Sequence, residues 1–266
     1  MTARILLVGC GKMGGALVHG WLRQGIPASD IVVVEPNPVS DLPAAVRQAR
    51  DAATVPGEFS PDIVLLAVKP QVMDAVAPAY GRYAASACFL SVAAGKTVAT
   101  LNRLLGGQAA IVRTIPNTPA AVAEGITTCF AGNGVSAAQR EACTRLLEAV
   151  GQVAWVERED LIDAATAVAG SGPAYVFWLT ECMAAAGEKV GLPAELAAQL
   201  ARATVQGAGA LMKQSPESPS QLRKNVTSPN GTTQAALDVL MAADGLDPLM
   251  ARAVAAAEKR SRELAG

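Results

Sequence analysis

Residues 5–14 read ILLVGCGKMG, a short apolar run joined to three spaced glycines. The apolar run predicts a strand that is buried on both faces. Behind the glycines, an amphipathic pattern over residues 13–24 predicts a helix, which Gly25 ends. A strand that turns directly into a helix predicts an α/β unit at the start of this sequence.

The glycine spacing adds a functional signal. Gly9, Gly11 and Gly14 match the pattern G-x-G-x-x-G, and a second apolar run, residues 31–34, leads to the acidic residue Glu35. This context is the fingerprint of a dinucleotide-binding fold, in which backbone N–H groups and a helix N-terminus hold a pyrophosphate. An ordinary glycine-rich turn is the alternative. We expect cofactor contacts from the whole turn: Gly9, Cys10, Gly11, Lys12, Met13 and Gly14.

Strand and helix patterns then alternate as far as residue 160. Further strands are predicted at residues 63–68, 89–92 and 111–115, with weaker patterns at 127–131 and 152–156. From residue 161 only helical patterns remain, at 161–190 with a break at 170–173, and at 194–213, 231–241 and 248–264. The fold class is therefore α/β plus all-α. We predict a doubly wound, mostly parallel Rossmann domain over residues 1–160 and an all-helical domain over residues 161–266.

Ligands of such sheets bind beyond the carboxyl ends of the strands. The third apolar run ends in Ala67, Val68, Lys69 and Pro70, and the fourth leads into Val92, Ala93 and Ala94. The small residues of the second group would let a nicotinamide approach the backbone closely. We therefore expect both groups to contact the cofactor, with a solvent-exposed strand-end lysine as the alternative reading of Lys69.

Glu35 bears on the choice of cofactor. A carboxylate at this position can accept both hydroxyls of the adenosine ribose and would repel a 2′-phosphate. No arginine occurs within the ten residues after Glu35. These features favour NADH over NADPH, unless Glu35 is merely a solvated charge at a strand end.

A polar, turn-prone segment over residues 222–234 precedes a predicted helix. The N–H groups of Gly231, Thr232 and Thr233 would lie at the helix N-terminus, where they can hold a carboxylate. The hydroxyls of Ser228, Thr232 and Thr233 add hydrogen-bond donors. A plain capping loop is the alternative.

The single histidine, His19, lies in the first predicted helix, away from the expected substrate site. No histidine is thus placed to act as the general acid and base of an alcohol dehydrogenase. Reduction of an imine that is already protonated requires only a hydrogen bond to the nitrogen and a well-placed hydride. The residues therefore favour imine reduction.

Composition limits the classes of partner. Charged residues make up 17% of the chain against about 25% in an average protein, which predicts a buried subunit interface. The net charge of −1 argues against nucleic acid and against a polybasic membrane surface. The five cysteines are widely spaced without C-x-x-C, so we expect reduced thiols in the cytoplasm and no metal. Neither a membrane span nor a signal peptide is expected.

Four motifs together resemble the pyrroline-5-carboxylate reductase family: residues 67–70, 117–119, 170–175 and 226–233. The resemblance covers nearly the whole chain. It implies NAD(P)H-dependent reduction of 1-pyrroline-5-carboxylate to L-proline, the last step of proline biosynthesis, by direct hydride transfer to a cyclic imine. It further implies a homodimer with interleaved helices and active sites at the dimer interface, often within a pentamer of dimers.

The resemblance also implies roles for particular residues. Asn225 is implied to contact the cofactor across the interface. Substrate contacts are implied for Glu159, Thr166, Ser228, Gly231, Thr232 and Thr233, with Thr233 nearest the ring nitrogen and therefore the catalytic residue. Two departures stand out. Asn230 replaces a usual glycine, although asparagine tolerates positive φ. The residues after Glu35 lack the Ser/Asn-Arg pattern with which many members bind NADPH.

Two other classes of protein share part of this sequence pattern. A hydroxyacid dehydrogenase of the 6-phosphogluconate type would place a lysine about one turn after the glycine-rich stretch, whereas the next lysine after residues 170–173 is Lys189. A non-catalytic dinucleotide sensor or dimerisation scaffold would not need a carboxylate-binding loop.

Overall fold

The computed structural model describes residues 3–265 and divides them into two compact units. The first contains the residues up to Gly170 together with those from Ala257 onward, and the second is Ser171–Ala256. The boundary at residues 160 and 161 stays a prediction about domain organisation.

A mostly parallel sheet forms the centre of the first unit. Its strands are β1 (Ile5–Val8), β2 (Ile31–Val34), β3 (Arg47–Ala49), β4 (Ile63–Leu66), β5 (Cys88–Ser91), β6 (Ala110–Ile115), β7 (Gly125–Ala131) and β8 (Gly151–Val156). They lie in the order β3-β2-β1-β4-β5-β6-β7-β8, and within this sheet β7 is antiparallel to β6. The doubly wound Rossmann sheet expected from the sequence is confirmed.

The central strands are apolar throughout because helices and loops cover both faces of the sheet. Every residue of β1 is buried. Ile5 and Leu7 pack into one apolar cluster, while Leu6 and Val8 pack into another. Successive side chains of a strand point to opposite faces, so the unbroken apolar run fills two cores.

Helices surround this sheet and make up most of the second unit. They are α1 (Lys12–Arg23), α2 (Met73–Val76), α3 (Val98–Leu104), α4 (Ala137–Leu147), α5 (Leu161–Ala165), α6 (Gly172–Lys189), α7 (Ala194–Gln214), α8 (Pro219–Asn225), α9 (Thr232–Leu240) and α10 (Leu246–Ala265). A π-helical turn, Thr166–Gly170, follows α5. Over residues 3–265, no helix is both long and apolar enough to cross a membrane.

The second unit is built on the hairpin of α6 and α7. At Gly187 a Cβ would lie 3.2 Å from the Cβ of Ala197, so the helices approach closely there. Much of their apolar surface stays exposed in a single chain: Phe177 is 61% and Trp178 is 65% exposed. Exposed apolar area of this kind marks an interaction surface.

Strand β3 and helix α8 are among the elements that were not predicted. Strand β3 is short and polar at Arg47 and Gln48, so it lacks the apolar pattern that identifies a strand. The expectation of a loop from Leu222 was wrong as far as Asn225, because those residues belong to α8. The hydroxyl of Ser218 caps that helix by accepting the N–H of Gln221, and Pro219 follows in the first turn.

Helix α1 offers a matched pair of glycines for a stability test. A Cβ at Gly20 would come 2.7 Å from the carbonyl oxygen of Ala149, whereas one at Gly15 would meet no atom within 4 Å. Gly20→Ala should lower the free energy of unfolding by about 1–3 kcal/mol through overpacking. Gly15→Ala should raise it by roughly 0.5–1 kcal/mol because alanine favours the helix. Urea unfolding without cofactor measures both, and equal effects would contradict the close packing at Gly20.

Candidate active site

The register of the central strands brings the carboxyl ends of β1, β2 and β4 together at one edge of the sheet. Strand β1 lies between β2 and β4, and the N–H of Gly9 donates to the carbonyl oxygen of Val34 at 2.8 Å. The N–H of Ala67 donates to the carbonyl oxygen of Val8 at 2.7 Å. The chain runs from β1 to β2 and β3 on one side of β1 and then crosses to β4 on the other side, so this edge is the switch point at which such sheets bind ligands.

The three glycines of the turn are needed for different reasons. Gly9 has φ +91°, and a Cβ there would come 2.9 Å from the backbone of Ala67. A Cβ at Gly14 would come 2.5 Å from the carbonyl oxygen of Gly9. At Gly11, in contrast, a Cβ would meet nothing within 4 Å. The protein's own packing leaves this space open, which fits the close approach of a pyrophosphate to the backbone.

A cavity of about 610 Å³ opens at this edge. The predicted cofactor residues that line it are Gly9, Gly11, Glu35, Ala67, Val68 and Lys69. The predicted cofactor residues of the first unit that do not are Cys10, Lys12, Met13, Gly14, Pro70, Val92, Ala93 and Ala94. The volume suits a cofactor-sized ligand.

Glu35 is held by the glycine-rich turn. Its Oε2 accepts the N–H of Cys10 at 2.9 Å, so the carboxylate has a fixed direction. Burial, with smaller effects from Glu35 and Asp41, raises the pKa of the Cys10 thiol to about 11. The thiol is therefore neutral at physiological pH and is a poor nucleophile.

Three lining residues with polar side chains were not predicted from the sequence: Arg50, Asp51 and Tyr80. Arg50 and Asp51 reach the cavity because they follow β3. A local signal was present, since Asp51 and Thr54 have the spacing of a capping box. The Asp51 carboxylate accepts the N–H groups of Ala53 and Thr54. Burial, followed by the charge of Asp51, raises the pKa of Tyr80 to about 12, so this phenol stays protonated.

The segment after β5 is anchored where it leaves the strand. The N–H of Val92 donates to the carbonyl oxygen of Leu66 at 3.2 Å, and the N–H of Ala93 donates to Ser91 Oγ at 3.3 Å. Ala93 is buried, whereas Ala94 is exposed. A ligand that extends past this segment would therefore meet backbone and the methyl group of Ala94.

A buried cation lies on the strand next to β5, where Arg113 is opposite Ser91. Arg113, on β6, is 2% exposed, and its Nη1 donates to Glu159 Oε1 at 2.9 Å. Its Nη2 lies 3.7 Å from Asp163 Oδ1, which also accepts the hydroxyl of Ser261 at 2.7 Å. The network satisfies most of a buried charge, although Arg113 Nε has no hydrogen-bond partner within the described structure.

The network bears on two predicted substrate residues. Glu159 Oε1 accepts a second bond, from the N–H of Val98 at 2.8 Å, so this carboxylate also holds the N-terminus of α3. Thr166 donates its hydroxyl to the carbonyl oxygen of Ile162 at 2.7 Å. Substrate contact by Glu159 and Thr166 stays a prediction, and the internal contacts give both side chains fixed positions.

In the second unit, the predicted carboxylate-binding loop leads into α9. Asn230 has φ 57°, which confirms that asparagine accommodates the left-handed conformation here. The N–H of Gly231 is occupied, because it donates to the carbonyl oxygen of Ser228 at 3.1 Å. The N–H groups of Thr232 and Thr233 have no acceptor within residues 3–265, so they remain for an anion.

Gly231 contributes space instead of a donor. A Cβ at this position would come 2.4 Å from Ser228 Oγ, so glycine lets the serine hydroxyl approach the helix N-terminus. Asn225, at the end of α8, donates through Nδ2 to Glu217 at 2.9 Å and accepts from Gln221 at 2.7 Å. Its amide is thus oriented within the second unit.

His19 has a local role. Its two ring nitrogens lie 2.9 Å from the carbonyl oxygen of Gly15 and 3.2 Å from that of Asp41. It does not line the cavity. Among the described residues, no cluster of three or more histidine, cysteine, aspartate or glutamate side chains could hold a metal ion.

The fold and the cavity define a Rossmann-type oxidoreductase with a helical second unit. A family model described as NADP oxidoreductase, coenzyme F420-dependent, matches residues 4–95, and one described as pyrroline-5-carboxylate reductase dimerisation matches residues 159–264. A pyrroline-5-carboxylate reductase of Pseudomonas aeruginosa is 42% identical over 99% of this chain and 97% of its own length. This chain belongs to the pyrroline-5-carboxylate reductase family.

Solved structures agree with this assignment. The structure of a pyrroline-5-carboxylate reductase from Coxiella burnetii has a TM-score of 0.92 at 34% identity and covers 100% of both chains. That of Plasmodium falciparum pyrroline carboxylate reductase with NADP bound has a TM-score of 0.82 at 27% identity, covering 99% of this chain and 98% of its own. The family resemblance in the four sequence motifs is confirmed.

The buried charge network can be tested by its effect on stability. Glu159→Gln keeps an oxygen acceptor for the N–H of Val98 but removes the charge next to Arg113. Loss of a buried ion-pair partner costs about 3–5 kcal/mol, which we reduce to roughly 2 kcal/mol because Glu159 is 27% exposed and Asp163 remains.

The matched control is Glu141→Gln, which breaks the exposed pair with Arg145 on α4 and should cost only about 0.3–0.5 kcal/mol. Urea unfolding of both variants gives the comparison. Equal losses of stability would show that the Arg113 network does not contribute to folding.

Proposed function

We propose that this protein reduces 1-pyrroline-5-carboxylate to L-proline with NAD(P)H, the last step of proline biosynthesis. The observation that carries the proposal is the loop over residues 226–233, which ends in two N–H groups with free donors at the start of α9. This loop occurs in a chain that also has a dinucleotide cavity. A sensor protein would need the cavity alone.

The cofactor is held mainly by backbone and by small residues. The open side of Gly11 and the N-terminus of α1 favour the pyrophosphate. Glu35, directed by the N–H of Cys10, accepts ribose hydroxyls. The nicotinamide ring lies against the small residues Val92–Ala94, past the cavity lining, while Lys69 lines the cavity.

The substrate is an anion with a cyclic imine. The N–H groups of Thr232 and Thr233 bind its carboxylate, assisted by the hydroxyl of Ser228, and Gly231 gives that hydroxyl access. The hydroxyl of Thr233 hydrogen-bonds the ring nitrogen and orients the imine carbon. When bound, the reduced nicotinamide supplies a hydride to that carbon, which leaves the protonated nitrogen as an amine. Histidine is not required.

The proposal also includes assembly of this chain into a homo-oligomer. The family model that matches residues 159–264 describes dimerisation, and the exposed aromatic side chains of α6 require cover. We take the assembly to be a homodimer with interleaved helices, with a pentamer of dimers as its higher form. In that dimer, Asn225 of one copy contacts the cofactor that the other copy holds, while Glu159 and Thr166 complete the substrate contacts.

The cytoplasm remains the expected location. The five cysteines are free thiols in this structure. Cys88 and Cys143 have their sulfur atoms 4.0 Å apart without a bond between them. Reduced thiols are the usual state in that compartment.

Thr233→Ala tests the catalytic assignment. The variant removes one hydrogen bond to a charged centre, worth roughly 1.5–3 kcal/mol, so kcat/KM for pyrroline-5-carboxylate should fall about 10- to 150-fold. Thr233→Ser should keep most of the activity because it keeps the hydroxyl. NADH affinity, measured by fluorescence titration, should change little in both variants. Wild-type kcat/KM in a correctly assembled Thr233→Ala protein would show that this hydroxyl has no catalytic role.

Glu35 makes NADH at least as good a cofactor as NADPH in this proposal. Glu35→Ser removes the charge that repels a 2′-phosphate, so the ratio of kcat/KM for NADPH to that for NADH should rise roughly tenfold. Asp41→Ser is the matched control, since it removes the same charge outside the cavity lining. Initial rates with both cofactors measure the ratio. If the wild-type kcat/KM for NADPH is ten or more times that for NADH, Glu35 does not have this role.

A further inference from the structure

Two opposite charges, Glu35 and Arg50, line the cavity. Strands β2 and β3 are parallel with Val34 opposite Ala49, and the N–H of Glu35 donates to the carbonyl oxygen of Ala49 at 2.9 Å. Glu35 and Arg50 are each the first residue beyond their strands. Both therefore leave the sheet at the same edge, and both line the cavity.

The backbone of Arg50 is held by a hydrogen bond, whereas its side chain is not. Its N–H donates to Thr54 Oγ1 at 3.0 Å, within the turn that Asp51 caps. In the part of the chain that the structure describes, its guanidinium makes no ion pair or hydrogen bond. Neighbouring arginines differ: Arg47 pairs with Glu58, and Arg82 donates to the carbonyl oxygen of Ala52.

The two side chains suit different groups on an adenosine ribose. The Glu35 carboxylate accepts hydroxyl donors, whereas the planar guanidinium of Arg50 matches the oxygens of a phosphate through two parallel bonds. We propose that Arg50 binds the 2′-phosphate of the adenosine ribose and so admits NADPH alongside NADH. The inference rests on the proposal that this cavity takes a nicotinamide dinucleotide.

This placement explains how the chain can lack a phosphate-binding arginine directly after β2. The cation comes instead from the next strand of the sheet, 15 positions further along the sequence than Glu35. Repulsion by Glu35 and attraction by Arg50 then act on the same phosphate in opposite directions. The balance between these two side chains sets the preference for one dinucleotide over the other.

Calorimetric titration of the full-length protein tests the assignment without turnover. The probes are ADP-ribose and ADP-ribose 2′-phosphate. Arg50→Ala should weaken binding of the phosphorylated probe by about 10- to 100-fold and change ADP-ribose binding by less than about threefold, because only the phosphate is a charged acceptor for Arg50. Arg50→Lys should fall between these values. Arg47→Ala, at the start of β3 and outside the cavity lining, should leave both affinities unchanged.

Three results would overturn the inference. These are an unchanged affinity ratio in Arg50→Ala, an equal loss for both probes, and a wild-type protein that binds neither probe. The wild-type advantage for the phosphorylated probe relative to Arg50→Ala should also shrink as potassium chloride is raised, since the contact is an exposed charge pair. Thermal unfolding of the unliganded variants checks their fold. Because pyrroline-5-carboxylate is absent, a failure of the proposed reaction remains distinguishable from a failure of this inference.

Discussion

The parallel pairing of β1 with both β2 and β4 is the constraint on which the site depends. Burial of every β1 residue in two apolar clusters fixes the register, because a slip by one residue would exchange the two faces. Once the register is fixed, Gly9, Glu35 and Ala67 must lie at one edge. The cavity therefore follows from strand packing, and the chemistry of that edge follows from the residues just beyond each strand.

On the other half of the sheet, the buried charge of Arg113 constrains the structure. A buried guanidinium needs acceptors, and it finds them in two carboxylates that lie far from it in sequence. One of these, Glu159, also holds the first turn of α3, which follows the small residues after β5. The buried charge of Arg113 thus connects β6, the first turn of α3 and the residues around Glu159. These contacts lie within the protein and do not require a substrate.

The two units differ in how much of their apolar surface they bury within a single chain. The first buries a sheet on both faces and is well packed in itself. The second is a hairpin of long helices whose aromatic residues remain exposed, with Phe177 and Trp178 as the largest examples. Such a surface is consistent with the dimerisation family to which residues 159–264 correspond.

The sequence by itself determined the strand–turn–helix at residues 5–24, the buried strands of the Rossmann sheet and the helical character of the C-terminal part. It could do so because buried strands, spaced glycines and helical periods are local patterns. It also pointed to Gly11 and Glu35, and the structure places both at one cavity. The assignment of Thr233 and the other substrate residues continues to rest on motif resemblance.

Only the tertiary structure showed that Arg50 lines the same cavity as Glu35. Only it showed which N–H groups at the start of α9 have no acceptor within the described residues. Strand β3 is too short and too polar to be recognised, so nothing in the sequence brought Arg50 to the cavity. The N–H of Gly231 is occupied by Ser228, which no spacing rule predicts. Arg113 gave no signal either, because a lone arginine in an apolar run becomes informative only when its distant carboxylates are known. Contacts between residues far apart in sequence depend on packing, and packing exists only in the folded chain.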